Sequence, residues 1–327
     1  MHILITGAAG MIGRKLTARL VADGALNGRP IERLTLIDVV APQRPARFAG
    51  AVETTAADIA DPAAARAAVA GRPAAIFHLA AVVSGEAELD FEKGDHVNLD
   101  GSRALLEAVR AVGDGYRPRV VFTSSIAVFG APFPDAIGDD FHLTPLTSYG
   151  TQKAIVELLL ADYTRRGFLD GVGIRLPNIV VRPGKPNKAA SGFFSSIIRE
   201  PLNGADAVLP VDESVGNWHA SPRAAVGFLV HAAGLAAEKL APRVNLNMPG
   251  VYCTVGEQIA ALRRIAGDKV AARIRRAPDP LVMRIVAGWP RRFAPQRSPA
   301  LGFTAEASFD EIIRVHIEDE LGGRIAS

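Results

Sequence analysis

The segment "ITGAAGMIG", residues 5 to 13, places three glycines at a regular spacing. Gly7, Gly10 and Gly13 form a G-x-x-G-x-x-G array between an apolar run typical of a strand and a stretch typical of an amphipathic helix. Such glycines allow a tight turn, close approach of the backbone to a pyrophosphate, and close packing of the helix on the sheet. A glycine-rich turn alone also fits a purely structural loop, so the flanking pattern carries the prediction.

Strand-like and helix-like stretches alternate through the first half of the chain, which favours βα units around a parallel sheet. The predicted strands are "HILIT" at 2, "LTLID" at 34, "AAIFHLA" at 74, "RVVFTSS" at 119 and "VGIRLPNIVV" at 172. The predicted helices are "MIGRKLTARLVADG", "DPAAARAAVAG", "VNLDGSRALLEAVRAVG" and "SYGTQKAIVELLLADYTRRG", with stop signals at Gly24, Gly71, Gly113 and Gly167. This order predicts an α/β fold, a Rossmann-like doubly wound parallel sheet, with a smaller C-terminal substrate-binding domain.

The composition excludes several classes of protein. With 327 residues, 49% of them hydrophobic, the chain can build a large core. Lys+Arg 37 against Asp+Glu 34 is close to balance, which argues against a nucleic-acid partner. A single cysteine, Cys253, excludes an intramolecular disulfide framework and a cysteine-cluster metal site, and no two histidines have metal-ligand spacing, so no metal is expected.

The location is expected to be cytoplasmic, with no membrane partner. The chain begins at once with a strand and a glycine loop, not with a basic and apolar leader. No segment approaches about 18 uninterrupted apolar residues, the length that a membrane-spanning helix requires.

Two acidic residues stand at predicted strand ends, and the first of them, Asp38, favours NAD as the cofactor. Asp38 ends the second strand, where a carboxylate accepts hydrogen bonds from a ribose diol and repels a 2′-phosphate. No arginine follows it directly, so NAD is favoured over NADP. Asp58 and Ile59, in "ADIAD", stand at a third strand end where an adenine would lie, although surface capping also explains Asp58. Because the alternation of strands and helices loosens after about residue 180, we expect an NAD-binding domain over 1–180 and a smaller substrate-binding region over 181–327, partly interleaved with the first.

A tyrosine and a lysine four residues apart open the predicted helix "SYGTQK". At that spacing Tyr149 and Lys153 have Cβ atoms roughly 6 Å apart and can face one site. A positive charge at about 5 Å in an effective dielectric of about 20 favours a phenolate by on the order of 3 kcal/mol. Lowering the pKa of a free tyrosine from about 10 to about 7 requires roughly 4 kcal/mol, so Lys153 and an oxidised nicotinamide together could supply it. Taken alone, the spacing is more often structural.

These motifs together resemble the extended short-chain dehydrogenase/reductase family, also described as the NAD-dependent epimerase/dehydratase family. "HLAA" at 78, "VNLDGSRALLEA" at 97 and "RLPNIVVRPG" at 175 also fit its pattern. The resemblance implies that Ser125 is the catalytic serine, with Ser124 as the competing choice, that Tyr149 is the acid/base, and that Lys153 holds the nicotinamide ribose. The implied cofactor-binding residues are Gly7, Gly10, Met11, Ile12, Gly13, Asp38, Asp58, Ile59, Leu79, Ala80, Ala81, Asn98, Tyr149, Lys153, Pro177 and Ile179.

Two further positions are read from the same pattern. His78 is expected to pack at a strand end. Asn98 resembles the family asparagine that buttresses the site, although a hydrogen bond at a helix start fits it nearly as well. The resemblance also implies that the helices around 100 to 112 and 150 to 165 form the contact of a homodimer.

The predicted substrate is a small sugar acid. The loop "RPGKPNKAASG" clusters Lys185, Asn187, Lys188 and Ser191, and two lysines beside small polar groups suit a carboxylate, although a solvated loop explains either lysine alone. At finer resolution, "HLAAVVSGEAELDFEKG", "SYGTQKAIVELLLADYTRRGFLDG", "RLPNIVVRPGKPNKAASGFFSSIIREPLNG" and "HASPRAAVGFLVHAA" resemble family members that oxidise the C2 hydroxyl of a four-carbon sugar acid to the 2-oxo acid.

The same resemblance implies further substrate-binding residues. They are Ser84, Ser125, Tyr149, His219 and Arg223. Arg223 would clamp a carboxylate bidentately, and a surface arginine is the alternative.

Two other functions stay open at this point. A nucleotide-sugar 4-epimerase would retain its NAD and show no net reduction, whereas a dehydrogenase accumulates NADH. Phe129 stands where many relatives have tyrosine, which weakens the epimerase interpretation. A non-catalytic NAD-sensing regulator usually lacks the tyrosine or the lysine, and this chain keeps both.

Overall fold

The computed structural model describes residues 1–184 and 191–326, which form alternating strands and helices. The strands are β1 (His2–Thr6), β2 (Ala25–Leu26), β3 (Arg29–Pro30), β4 (Arg33–Asp38), β5 (Ala51–Ala56), β6 (Ala75–His78), β7 (Arg119–Ser125), β8 (Asp170–Leu176), β9 (Asn178–Ile179), β10 (Ala207–Leu209), β11 (Gly216–Ala220), β12 (Asn245–Asn247), β13 (Val251–Thr254) and β14 (Ile274–Arg276). The helices are α1 (Met11–Asp23), α2 (Pro62–Val69), α3 (Ser84–Leu89), α4 (Phe91–Gly94), α5 (Gly101–Val112), α6 (Ser148–Arg165), α7 (Gly192–Leu202), α8 (Pro222–Gly234), α9 (Ala237–Leu240), α10 (Val255–Ala266), α11 (Asp268–Ala271), α12 (Pro280–Ala287), α13 (Arg297–Ala300) and α14 (Phe309–Leu321). A π-helical segment covers Asp95–Asp100, and a 3-10 turn covers Ile126–Val128.

A seven-stranded sheet lies at the centre, in the order β12-β8-β7-β6-β1-β4-β5. Strand β1 pairs in parallel with β4 on one side and with β6 on the other. The chain therefore winds outward from β1 in both directions, and the strand order reverses between β1 and β6. Ligands of such sheets bind at the carboxyl ends of the strands beside this reversal. The predicted Rossmann-like α/β fold is confirmed.

The chain divides into two compact units, each built from several segments. The first unit comprises Met1–Val128, Thr147–Arg175 and Val226–Asn247, and contains the large sheet. Its core includes Leu4, Ile76, Val120 and Val156, all at most 1% exposed.

The second unit comprises Phe129–Leu146, Leu176–Ala225 and Met248–Ser327. It contains the three-stranded sheet β13-β11-β9 and a separate core around Phe194, Leu262 and Ile312. The expected division near residue 180 allowed for interleaving, and each unit does draw segments from both sides of that position.

Most predicted elements match the structure closely, and the differences have local causes. Strand β5, "AVETTA", lies at the edge of the sheet with mostly exposed side chains, so it lacks the apolar run that marks the inner strands. Strand β12 is three residues long and was not predicted. Gly24, Gly113 and Gly167 adopt the expected positive φ, but Gly71 does not; Arg72, with φ 48°, takes the left-handed conformation after α2.

Candidate active site

At two of its three glycines, the loop between β1 and α1 packs too closely against the protein's own backbone to accept a side chain. Gly7 has φ +73°, and a Cβ there would lie 2.6 Å from the backbone nitrogen of Ala80. A Cβ at Gly13 would lie 2.3 Å from the carbonyl oxygen of Gly7. These positions therefore require glycine whether or not a ligand binds, and Gly7 holds the loop against the chain that follows β6.

Gly10 differs from the other two glycines. A Cβ there would meet only the carbonyl oxygen of Gly7, at 3.2 Å. Gly10 is the N-cap of α1, no side chain caps the helix, and its first turn has no acidic residue. The N–H groups of Met11, Ile12 and Gly13 have no partner within the helix, as in any first turn. The space beside Gly10 and these donors fit the pyrophosphate of a dinucleotide.

Asp38 stands at the end of β4 beside this loop. Its Oδ2 accepts a hydrogen bond from the backbone N–H of Ala9 at 2.9 Å, and its Oδ1 accepts one from Val39 at 2.8 Å. Each carboxylate oxygen keeps a second lone pair, so the group can also accept from the two hydroxyls of a ribose. The donor set of the loop and this acid fit NAD.

The residues predicted near the adenine have structural contacts of their own. Asp58 accepts from the backbone N–H of Ala60 at 2.9 Å and pairs with His96 Nε2 at 3.0 Å. Ile59 is 4% exposed and belongs to the core of the first unit. Asp58 therefore does cap a turn, and contact with adenine stays a prediction for both residues.

His78, the last residue of β6, is a buried structural histidine, as expected. Its Nδ1 lies 2.7 Å from Thr6 Oγ1, and its Nε2 lies 2.9 Å from Ser102 Oγ. Ser102 donates its own proton to the Asn98 carbonyl, so Nε2 donates to Ser102 and Nδ1 accepts from Thr6. Burial, together with the charge of Lys153, lowers the pKa of His78 to about 3, so the ring is neutral.

Asn98 lies in the π-helical segment and is fully buried. Its Oδ1 accepts from the backbone N–H of Val82 at 2.9 Å, and its Nδ2 donates to Gln152 Oε1 at 2.8 Å. Asn98 thus joins the chain that follows Leu79, Ala80 and Ala81 to helix α6. These contacts fit the buttressing interpretation better than a direct contact with the cofactor.

The two serines at the end of β7 have different environments. Ser124 is 2% exposed and donates to Glu157, whereas Ser125 is partly exposed. Ser125 Oγ accepts from the backbone N–H of Ala127 at 3.1 Å and keeps its own proton for another partner. Of the two, Ser125 is the one that can reach a ligand, which supports the choice made from the sequence.

Helix α6 carries Tyr149 and Lys153 on one face. Lys153 is 2% exposed, and its Nζ donates to the carbonyl of Thr123 at 2.9 Å. Nζ lies 4.8 Å from the ring centroid of Phe122 and 5.7 Å from that of Tyr149. A buried ammonium beside the tyrosine ring stabilises negative charge on the phenol oxygen.

The pKa of Lys153 lies near neutral pH. Burial lowers the pKa of Lys153 from 10.5 to about 7, and the charge of Glu157 partly opposes this shift. A lysine of this kind changes charge at physiological pH, which is common at functional sites.

The predicted substrate residues fall in several places. Lys185, Asn187 and Lys188 lie outside the described residues. Ser84 is the first residue of α3, in the first unit. In the second unit, Ser191 accepts from Arg182 at 2.8 Å, and Pro177 and Ile179, predicted to contact the cofactor, are buried.

His219 and Arg223 already have partners within the second unit. His219 is fully buried between the rings of Phe194 and Phe309, and burial lowers its pKa to about 3. Arg223 pairs with Glu318 at 3.0 Å and also with Asp319. These contacts account for both residues structurally, and a substrate contact for either stays a prediction.

Gln152, Glu157 and Arg175 contribute to the site but were not predicted from the sequence. Glu157 is one helical turn after Lys153, so the i, i+4 spacing would have indicated it. Arg175 comes from β8, and no local pattern connects it to α6. Within residues 1–184 and 191–326, no cluster of His, Cys, Asp or Glu could hold a metal ion, and no helix is long and apolar enough to cross a membrane.

The fold and the serine, tyrosine and lysine at the carboxyl end of its sheet define a short-chain dehydrogenase/reductase. Residues 3–216 match the NAD dependent epimerase/dehydratase family. D-erythronate dehydrogenase of Cupriavidus necator is 52% identical over 323 residues, covering 98% of each chain. D-erythronate dehydrogenase of Haemophilus influenzae is 40% identical over 321 residues, covering 98% of this chain and 100% of that protein.

Solved structures give the same fold. One described as a nucleoside-diphosphate-sugar epimerase from Agrobacterium tumefaciens has a TM-score of 0.98 and 65% identity, covering 100% of this chain and 96% of that one. L-threonine 3-dehydrogenase from Trypanosoma brucei, at 24% identity and a TM-score of 0.85 over 99% of both chains, shares the fold. The chain belongs to the NAD-dependent epimerase/dehydratase family, and the predictions of this family and of NAD are confirmed.

A pair of glycine variants tests the fit of the loop to NAD. We expect Gly10→Ala to lower the melting temperature far less than Gly13→Ala does and to weaken NAD binding by at least about tenfold, or about 1.4 kcal/mol, because its methyl group would occupy the space that fits the pyrophosphate. Gly13→Ala should lower the melting temperature itself, since its Cβ would overlap backbone. Calorimetric titration with NAD and thermal unfolding measure both effects. Native NAD affinity in Gly10→Ala would contradict this assignment of the loop.

Replacing Lys153 separates stability from function. Because the folded-state pKa of Lys153 is depressed from 10.5 to about 7, folding is penalised as pH falls from 10.5, and the penalty is complete below about 7. Lys153→Met should therefore raise the melting temperature of the NAD-free protein near pH 6, with a gain that fades toward pH 10, while NAD binding weakens. Lys269→Met, at an exposed position, is the control and should change neither. A lower melting temperature for Lys153→Met at pH 6 would refute the prediction.

Proposed function

We propose that this protein is an NAD-dependent dehydrogenase that oxidises the C2 hydroxyl of D-erythronate to the 2-oxo acid. One observation carries the proposal: the buried Lys153 ammonium lies beside the Tyr149 ring, on the helix that packs against the strand ending in Ser125. The substrate is suggested by the relatives from Cupriavidus necator and Haemophilus influenzae, which match nearly end to end.

The chemistry follows from these three side chains. Tyr149, as the phenolate, takes the proton of the C2 hydroxyl, while the C2 hydrogen leaves with its electron pair. Bound NAD supplies the hydride acceptor, so the products are the 2-oxo acid, NADH and one proton. Ser125 donates a hydrogen bond to the substrate oxygen, which changes from hydroxyl to carbonyl.

Lys153 contributes electrostatically and by position. Its ammonium favours the phenolate of Tyr149, and its three protons allow it to donate to a ribose hydroxyl as well as to the Thr123 carbonyl. An ammonium excluded from water acts more strongly on a neighbouring charge than an exposed one does.

We propose that the first unit is the NAD-binding domain and that the second unit supplies substrate contacts. Lys185, Asn187 and Lys188 offer charge and amide groups suited to a carboxylate. Ser191 offers a hydroxyl for the polyol, and Ser84, in the first unit, offers another. Arg223 and His219 are secondary candidates because carboxylates and aromatic rings of the second unit already occupy them.

One observation favours a second candidate, a nucleotide-sugar epimerase. The structure from Agrobacterium tumefaciens that shares 65% identity is described as such an enzyme. An epimerase would interconvert a nucleoside-diphosphate sugar with no accumulation of NADH, so chromatography of the sugar after incubation separates the two functions.

We also propose a cytoplasmic homodimer that forms through α5 and α6. Leu158 is 66% exposed and Ile155 is 37% exposed, both on α6, so this helix presents apolar side chains to the surface of the first unit. Analytical ultracentrifugation of Leu158→Glu tests this association.

Tyr149→Phe tests the catalytic assignment. With D-erythronate and NAD, we expect turnover to fall by about 100-fold or more, the usual contribution of a general base, while NAD still binds. The control is Tyr116→Phe, which loses only a hydrogen bond to the Pro73 carbonyl and should keep its turnover. NADH formation with a panel of four- to six-carbon sugar acids, with NAD and with NADP, gives the rates. Near-normal turnover of Tyr149→Phe, or no reduction with any acid, would overturn the proposal.

A further inference from the structure

A buried pair of opposite charges lies directly behind the site residues of the first unit. Glu157 is fully buried, and Arg175 is 8% exposed. Arg175 Nε lies 2.9 Å and Nη2 lies 2.7 Å from the Glu157 carboxylate, in the bidentate arrangement that arginine forms with carboxylates. Arg175 Nη1 also donates to Asn247 at 3.1 Å, so the pair joins α6 to β8 and β12.

The pair is connected to the site through two neighbours. Ser124, the residue before Ser125, donates to the Glu157 carboxylate and so ties the end of β7 to α6. Lys153 is one turn before Glu157 on α6, and the carboxylate acts on the lysine charge through the low-dielectric interior. Neither contact reaches the surface, so Glu157 cannot itself touch a substrate.

Of the described groups packed around Lys153, Glu157 supplies the negative charge that compensates its ammonium. From β6, His78 is neutral. From β7, Thr123 presents a carbonyl and Phe122 a ring face. On α6 itself stand Tyr149 and Glu157, and from β8 Arg175 holds the opposite side of the carboxylate.

We propose that Glu157 and Arg175 are positioning residues whose opposite charges set how much positive charge the buried Lys153 holds, and that Glu157 also fixes the strand end carrying Ser125. A buried charge pair of this kind adds little stability compared with apolar side chains of the same volume. The carboxylate of Glu157 stabilises the ammonium of Lys153, and we expect the opposite charge of Arg175 on the same carboxylate to oppose that effect. The inference rests on the proposed function only in treating Lys153 as a site residue.

The charge of Lys153 can be measured without substrate or cofactor. The chain has seven lysines, so protein labelled with carbon-13 at lysine Cε gives few signals, and Lys153→Met assigns the one of interest. In the native protein we expect this signal to titrate near pH 7. The midpoint should fall by about one unit in Glu157→Gln and rise by about one unit in Arg175→Met. The double variant Glu157→Gln/Arg175→Met should titrate close to the native protein.

Opposite shifts distinguish this role from a merely structural one, because loss of packing would move both single variants in the same direction. The signal of exposed Lys269 is the internal control and should not differ between variants. Equal shifts, or none, would overturn the proposal. If Glu157→Gln does not fold, the comparison of Arg175→Met with the double variant is the remaining test. Lys153 must then titrate at higher pH in Arg175→Met than in the double variant.

Catalysis gives the second readout. If D-erythronate is oxidised, the alkaline limb of the kcat profile should move to lower pH in Glu157→Gln and to higher pH in Arg175→Met, as Lys153 loses its charge earlier or later. If no sugar acid is oxidised, the proposed function fails, but the titration of Lys153 still stands or falls by itself.

Discussion

Burial of one ammonium group is the constraint on which the rest of the site depends. Lys153 is 2% exposed and has a carbonyl and two aromatic rings as its contacts, so the interior must bear a charge that water would otherwise solvate. The central sheet supplies the carbonyl from β7, and α6 places Tyr149 one turn earlier. The same burial that weakens the charge of Lys153 strengthens its effect on the tyrosine.

Buried polar contacts hold this arrangement from two sides. On one side, Thr6, His78, Ser102 and Asn98 form a chain of hydrogen bonds that ends on α6 at Gln152. On the other side, Ser124 of β7 donates a hydrogen bond to Glu157, which pairs with Arg175. Each chain crosses from a strand to a helix, so the position of the helix carrying the site is specified by polar geometry as well as by apolar packing.

The sequence predicts the fold and identifies the candidate reacting side chains because both depend on local patterns. A glycine array after a strand, an acid at a strand end, and a tyrosine four residues before a lysine each depend on residues close together in the chain. The pairing of Glu157 with Arg175 was not predicted because Arg175 comes from β8, which no local pattern connects to α6. The sequence signal for edge strand β5 was weak because that strand lacks an apolar face. Burial separates Ser124 from Ser125, and their adjacent positions in the sequence carry no sign of it. The sequence also does not show that His219 and Arg223 have partners within the second unit, so only the structure reveals the contacts that compete with a ligand for them.

In the proposed reaction, hydride passes directly from C2 of a sugar acid to NAD at the site formed by Ser125, Tyr149 and Lys153. D-erythronate carrying deuterium at C2, incubated with the protein and NAD, tests this most directly. We expect each reduced cofactor to carry one deuterium on the nicotinamide ring, as mass spectrometry would show, and the 2-oxo acid to accumulate in equal amount. Reduced cofactor without the label, or the absence of any reduced cofactor, would contradict it.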